Sequence, residues 1–153
     1  MERIYAKINM GAIAHNIKLI KSRIGESRLM LIVNADGYGH GAAAMAKAFE
    51  AEADYFAVAE LGEAMELRHA GVRKPVLILG YTPPVLYEKA LENDISLTVF
   101  SLDTVRVLSE KAAAAGKKAC VHFAVDTGMG RIGWQVCEQD AAEAAEAAKL
   151  PFI

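Results

Sequence analysis

Short apolar runs alternate with helix-patterned segments along almost all of this 153-residue chain, and that alternation limits how it can fold more than any other feature. The runs are Leu29–Val33, Tyr55–Ala59, Val76–Leu79, Ser96–Phe100 and Ala119–Val125. Each is followed by a segment of helical character: Gly41–Glu52, Leu61–Ala70, Pro84–Glu92, Leu102–Ala115 and Glu138–Lys149. Runs that are apolar throughout suit strands buried on both faces. Helices between such strands make every connection a crossover, so a parallel sheet under helices is expected. Upstream, Ile4–Ile8 reads as an opening strand. Met10–Ile24 reads as an amphipathic helix with Asn9 as its cap and Ile13, Ile17, Ile20 and Ile24 on one face. Gly71 and Gly116 stand where helices should close.

A closed (β/α)₈ barrel takes ~250 residues. About five βα units are present here, and Lys149–Ile153 reads as the beginning of a sixth strand. The expected fold class is α/β, a parallel (β/α) barrel of TIM type, N-terminal part only, with residues 1–153 as one portion of it. No linker, low-complexity tract or charge run divides the chain. The alanine-rich stretches Ala112–Ala115 and Ala141–Ala148 are helix formers.

Composition narrows the function classes. Hydrophobic residues make up 54% and charged residues 24%, with a formal net charge of −2, which gives no electrostatic reason to expect nucleic acid or an anionic membrane. No run approaches the ~18 apolar residues of a membrane span, and the N-terminus leads straight into patterned sequence without a signal-peptide core. Cys120 and Cys137 match neither a disulfide framework nor a Cys-x-x-Cys metal pattern. Reduced thiols and a cytoplasmic location are expected.

Two strand ends carry groups able to do chemistry. At the first, Leu29–Val33 gives way to Asn34-Ala35-Asp36-Gly37-Tyr38-Gly39-His40-Gly41. Its glycines permit close backbone approach, and Tyr38 and His40 place a phenol and an imidazole at the carboxyl end of a strand, where parallel α/β folds put their sites. Taken locally, this is either a ligand loop or an ordinary glycine-rich βα turn. Its glycine and lysine positions fit neither a dinucleotide fingerprint nor a phosphate-binding loop. At the second, Ala119–Val125 runs into Asp126-Thr127-Gly128-Met129-Gly130-Arg131-Ile132-Gly133. Arg131 there either aims its planar fork at an anionic oxygen or pairs with Asp126 in a surface turn.

Together the two segments resemble alanine racemases. In that family a strand runs into Lys-Ala-(Asn/Asp)-(Ala/Gly)-Tyr-Gly-His-Gly, and the Asp-Thr-Gly-Met-Gly-Arg-Ile-Gly run matches its second signature at the expected separation. Phe56-Ala57-Val58-Ala59-Glu60-Leu61-Gly62-Glu63-Ala64, Pro75-Val76-Leu77-Ile78-Leu79-Gly80 and Leu97-Thr98-Val99-Phe100 also look like that family, so the resemblance covers essentially the whole chain. It implies pyridoxal 5'-phosphate (PLP) as cofactor, alanine as substrate and a homo-oligomer as the full-length form. It also implies interconversion of L- and D-alanine for peptidoglycan synthesis. Asn34 occupies the position of the lysine that carries PLP as a Schiff base and serves as one of two catalytic bases. Tyr38 matches the tyrosine that hydrogen-bonds the cofactor phosphate, Leu79 an apolar residue beside the cofactor, and Arg131 the arginine that hydrogen-bonds its phenolic oxygen. Asp36 and His40 are assigned support of the loop.

The chain departs from the family pattern at three places. Asn34 has no amine with which to form an imine or take a proton. Ala124 stands where many relatives carry a carbamylated lysine that supports the arginine. The ring-stacking histidine, the arginine facing the pyridine nitrogen, most phosphate-binding residues and the partner subunit's catalytic tyrosine would lie beyond Ile153. The reading is an alanine racemase-like PLP-barrel fragment without activity on its own. One alternative is a non-catalytic degenerate module or one half of a split barrel; another is a related PLP barrel, such as a serine racemase domain or a PLP-homeostasis protein. No metal site is expected. His122 reads as a core histidine, Trp134 as a core cap or subunit contact, and His15 and His69 as solvated.

Overall fold

The structure is a computed structural model that describes residues 4–153. Helix α1 (Met10–Arg23) opens on Asn9, whose side chain accepts the Ala12 N–H at 3.0 Å. Then come strand β1 (Met30–Ile32), the helical turn α2 (Asn34–Gly39), α3 (Ala42–Ala48), β2 (Tyr55–Val58), α4 (Leu61–His69) and β3 (Val76–Ile78). A 3₁₀ turn at Pro84–Leu86 leads into α5 (Tyr87–Glu92), followed by β4 (Ile95–Val99), α6 (Leu102–Ala115) and β5 (Val121–Phe123). Two short strands, β6 (Val125–Asp126) and β7 (Trp134–Gln135), precede α7 (Glu138–Ala147).

Strands β1 to β5 form one parallel sheet in sequence order, as expected of largely apolar runs separated by helices. Alternation sends Phe56, Val58, Val76, Ile78 and Leu97 to the outer face. There they are buried in one cluster with Ala64 and Leu67 of α4, Ala90 of α5 and Val105, Leu108 and Ala112 of α6. Sequential order with helices on one face is the arrangement of a (β/α)₈ barrel, and this chain is an α/β fold corresponding to its N-terminal part. The other face carries Tyr55, Ser96, Thr98 and His122. Here Tyr55 Oη lies 2.9 Å from Ser96 Oγ, and Thr98 donates to the Ile78 carbonyl at 2.7 Å.

The end of the sheet opposite the glycine loops is laced by charged side chains. Arg68, in the last turn of α4, donates to the carbonyls of Asn93, Val72, Lys74 and Asp94 at 2.9–3.0 Å, and burial holds its pKa below the usual arginine value. Glu50 accepts the Arg73 N–H at 2.6 Å and the Lys74 N–H at 3.2 Å. These bonds, with Lys47 beside it, hold its carboxyl down at about 2.

Several expectations are corrected. Ile4–Ile8 is not a strand. Among the described residues it has no pairing partner, and Ile4 and Tyr5 are 90% and 79% exposed; without a ladder, an apolar alternation does not make a strand. Ala119–Val125 is broken at Ala124. Its N–H still bonds Val99 on the sheet, but its carbonyl accepts from Trp134, so the chain changes partner there. Lys149–Ile153 makes turns instead of strand, its carbonyls at Pro151 and Phe152 accepting from Ser109 Oγ and the Ala119 N–H. Asn34–Gly41 is not open loop, because Asn34–Gly39 coils into a turn. Ile20 is exposed, while Ile13, Ile17 and Ile24 pack on Leu29 and Phe49. His122 is no core residue: it is exposed on the concave face, edge-on to Tyr55 at 5.6 Å. Trp134 is buried and stacks on Phe123 at 5.3 Å, while His15 and His69 are exposed.

Among the described residues, β1 and β5 each pair on one side only, and Ile32 on the concave face is 48% exposed. Open parallel edges beside apolar surface template further pairing. The isolated chain is therefore expected to self-associate in sedimentation and to bind a hydrophobic dye more strongly than a closed barrel of this type. A dye-silent, monodisperse monomer would contradict that.

Candidate active site at the carboxyl ends of the strands

The first loop winds the wrong way. Ala35, Asp36, Gly37 and Tyr38 have φ between +49° and +61° and ψ between +36° and +51°, one turn of left-handed helix. For the three non-glycine residues this conformation costs roughly 1–2 kcal/mol each, so it persists only where its ends are held. Asp36 holds the far end: its side chain accepts the Ala42 N–H at 2.8 Å and its carbonyl the Gly41 N–H at 2.8 Å. His40 Nδ1 lies 3.2 Å from the Tyr38 carbonyl. Both side chains thus brace the loop.

The near end is held by a residue that the sequence reading did not single out for any role. Glu63, in the first turn of α4, accepts the Ala35 N–H through Oε1 at 2.6 Å and the Ala59 N–H through Oε2 at 2.7 Å. An acidic residue in the first turn of a helix is a visible signal, but nothing in the sequence shows that it reaches two loops.

The second loop is organised by Asp126, which accepts the Gly128 and Gly130 N–H groups at 2.9 and 3.0 Å. Those bonds, Gly130 first, hold its carboxyl below the usual range. The Asp126–Arg131 pair considered from the sequence does not form. Among the described residues no hydrogen bond or ion pair engages Arg131.

Arg131 instead faces a cavity of about 330 Å³ at the carboxyl ends of the strands. All four residues singled out from the sequence, Asn34, Tyr38, Leu79 and Arg131, line it, together with Ile32, Ala59 and Gly80. Gly80 is needed for closeness, since a Cβ there would fall 2.6 Å from the Ala59 carbonyl oxygen. Leu79 and Arg131 also line a larger cavity of about 580 Å³ over the concave face, where Met30, Leu77, Thr98 and His122 are found. Ala124 lies in that second wall and presents no anion to the guanidinium.

Residues 8–153 match the family model described as "Alanine racemase, N-terminal domain". The chain belongs to the alanine racemase family. Alanine racemase from Desulforamulus reducens is 49% identical over 144 residues, spanning 93% of this chain and 39% of that protein. The solved alanine racemase of Clostridium difficile 630 superposes with a TM-score of 0.91 at 41% identity, covering 99% of this chain and 41% of that one. A histidine racemase from Leuconostoc mesenteroides gives a TM-score of 0.80 at 30% identity, over 90% and 37% of the two chains. The chain thus spans about 40% of the length of the racemases it matches.

Among the described residues no group of His, Cys, Asp and Glu is placed to hold a metal, and no helix is long and apolar enough to cross a membrane. The cavity wall tests the cofactor that racemases of this family imply. Its phenol, guanidinium and apolar side chains suit a flat, anionic ring. Its one nitrogen at position 34 is a carboxamide, which forms no imine. A covalently tethered PLP does not fit these residues.

Proposed function

We propose that this chain is the cofactor-loop portion of a PLP-type alanine racemase barrel in which Asn34 removes the covalent tether, so that the chain alone does not racemise. The observation that carries this reading is the convergence of Asn34, Tyr38, Leu79 and Arg131 on one cavity from loops far apart in sequence. PLP, when bound, supplies an electron sink that lets an amino acid lose its Cα proton. This chain's own residues bind and orient. Tyr38 would donate its phenol proton to an anionic oxygen of the group, the Arg131 fork would meet its phenolate, and Leu79 with Gly80 would give its flat ring close access. Asn34 donates and accepts hydrogen bonds but holds no exchangeable charge, so it moves no proton.

On the same reading the full-length form is a cytoplasmic homo-oligomer acting on alanine for cell-wall synthesis, and neither nucleic acid nor membrane is a partner. A second reading, a non-catalytic module that pairs with another chain, is favoured by Asn34, which offers no imine-forming amine.

Incubation with PLP followed by borohydride reduction and peptide mapping tests the proposal. No pyridoxyl group is expected at position 34 in this chain, whereas the Asn34→Lys variant should be labelled there. A stable adduct at Asn34, or none at position 34 of the variant, would overturn it.

A further inference from the structure

Among the described residues, the Glu63 carboxylate is the one side chain hydrogen-bonded to both the turn after β1 and the loop after β2. Its two oxygens are used separately, by the Ala35 N–H at 2.6 Å and the Ala59 N–H at 2.7 Å. Ala59 in turn accepts the Gly80 N–H through its carbonyl at 3.3 Å, so three successive strand ends are laced in a row beneath the cavity. Ala35 is also where the left-handed turn begins, directly after Asn34. Charge-assisted bonds of this length are among the stronger hydrogen bonds, and a strained segment needs such anchors to keep one conformation.

From this geometry we infer that Glu63 is a positioning residue: by holding Ala35 and Ala59 together, it fixes the side chain at position 34 against the cavity wall. Asp36 pins the other end of the same turn onto α3, so the segment bearing residue 34 and Tyr38 is clamped at both ends. Glu50 provides the comparison. It too accepts two backbone N–H groups, those of Arg73 and Lys74, but at the opposite end of the sheet. Its loss removes the same kind of bond without touching the cavity.

The test compares Glu63→Gln, Glu63→Asp and Glu50→Gln by amide hydrogen exchange and by the NMR signals of the Asn34 side-chain amide. Glu63→Asp keeps the charge but is one methylene too short to span both N–H groups, so it serves if the glutamine variant folds poorly. Both Glu63 variants should speed exchange at Ala35 and Ala59 at least ~10-fold and displace the Asn34 signals. Glu50→Gln should leave both readouts unchanged. Unmoved Asn34 signals in the Glu63 variants, or equal displacement by Glu50→Gln, would overturn the inference.

A second arm rests on the proposed function and uses the Asn34→Lys background. There Glu63→Gln should lower borohydride-trapped pyridoxyl label at position 34 at least ~10-fold, with Glu50→Gln without effect. Equal labelling overturns the role of Glu63. Absence of label even with Glu63 intact overturns the cofactor reading, and the exchange and NMR results then decide Glu63 alone.

Discussion

Asn34→Lys, made in this chain joined to the C-terminal remainder of an alanine racemase, is expected to raise D-alanine formation from L-alanine by at least ~10²–10⁴-fold over the Asn34 form. The lower bound reflects loss of one proton-transfer group alone. Racemisation needs a base on each face of the same carbon, and a carboxamide cannot act as one near neutral pH. The geometry around position 34 is otherwise in place: the left-handed turn is pinned at both ends, and Tyr38, Leu79 and Arg131 share the cavity. The two joined proteins are compared by chiral analysis of product and by exchange of the alanine Cα proton with solvent. An Asn34 form already at full rate would refute the role assigned to position 34. No gain on restoring the lysine would show that the pocket has changed elsewhere too, and would favour the non-catalytic reading.

Arg68→Ala should be strongly damaging although it lies away from the cavity, lowering stability by ~2–4 kcal/mol and the Tm by roughly 5–15 °C. Four carbonyls, from Val72, Lys74, Asn93 and Asp94, depend on this one guanidinium. They stand at the turns leading into β3 and β4, so their loss loosens the start of two central strands. Arg68→Lys should recover only part of the loss, since an ammonium is a compact point donor and cannot reproduce a planar fork with five N–H groups. Thermal melts of the three proteins check this, and a shift under ~2 °C for the alanine variant would contradict the role.

What the sequence shows of this molecule follows from which interactions are local. The parallel sheet was legible because its strands lie in largely apolar runs separated by helices, α1 because Asn9 caps it within one turn, and α6 because Gly116 closes it. The break at Ala124 was not legible, since Val125 continues the apolar pattern while its neighbour's carbonyl has already turned to Trp134. Ile4–Ile8 failed as a strand for the converse reason: its pattern is right, but pairing requires a neighbour. The left-handed turn was hidden because Ala35 and Tyr38 are residue types that disfavour it. The bonds that hold its two ends, from Asp36 and from distant Glu63, show why it forms. Tyr38 and Arg131 stood out by their chemistry at two strand ends, whereas Asn34 and Leu79 came through the motif resemblance, and only the resemblance signalled that the four converge.

On the proposed reading the pyridoxal ring binds in the cavity lined by Asn34, Tyr38, Leu79 and Arg131. An NMR titration of the unaltered chain with PLP tests it most directly, because no covalent bond is needed for a weak ligand to perturb its contacts. Shifts concentrated at Asn34, Tyr38, Ala59, Leu79, Gly80 and Arg131, reversed on dialysis, are the predicted result. Shifts confined to the opposite end of the sheet, around Arg68 and Lys117, or an absence of saturable shifts at the cavity, would contradict it.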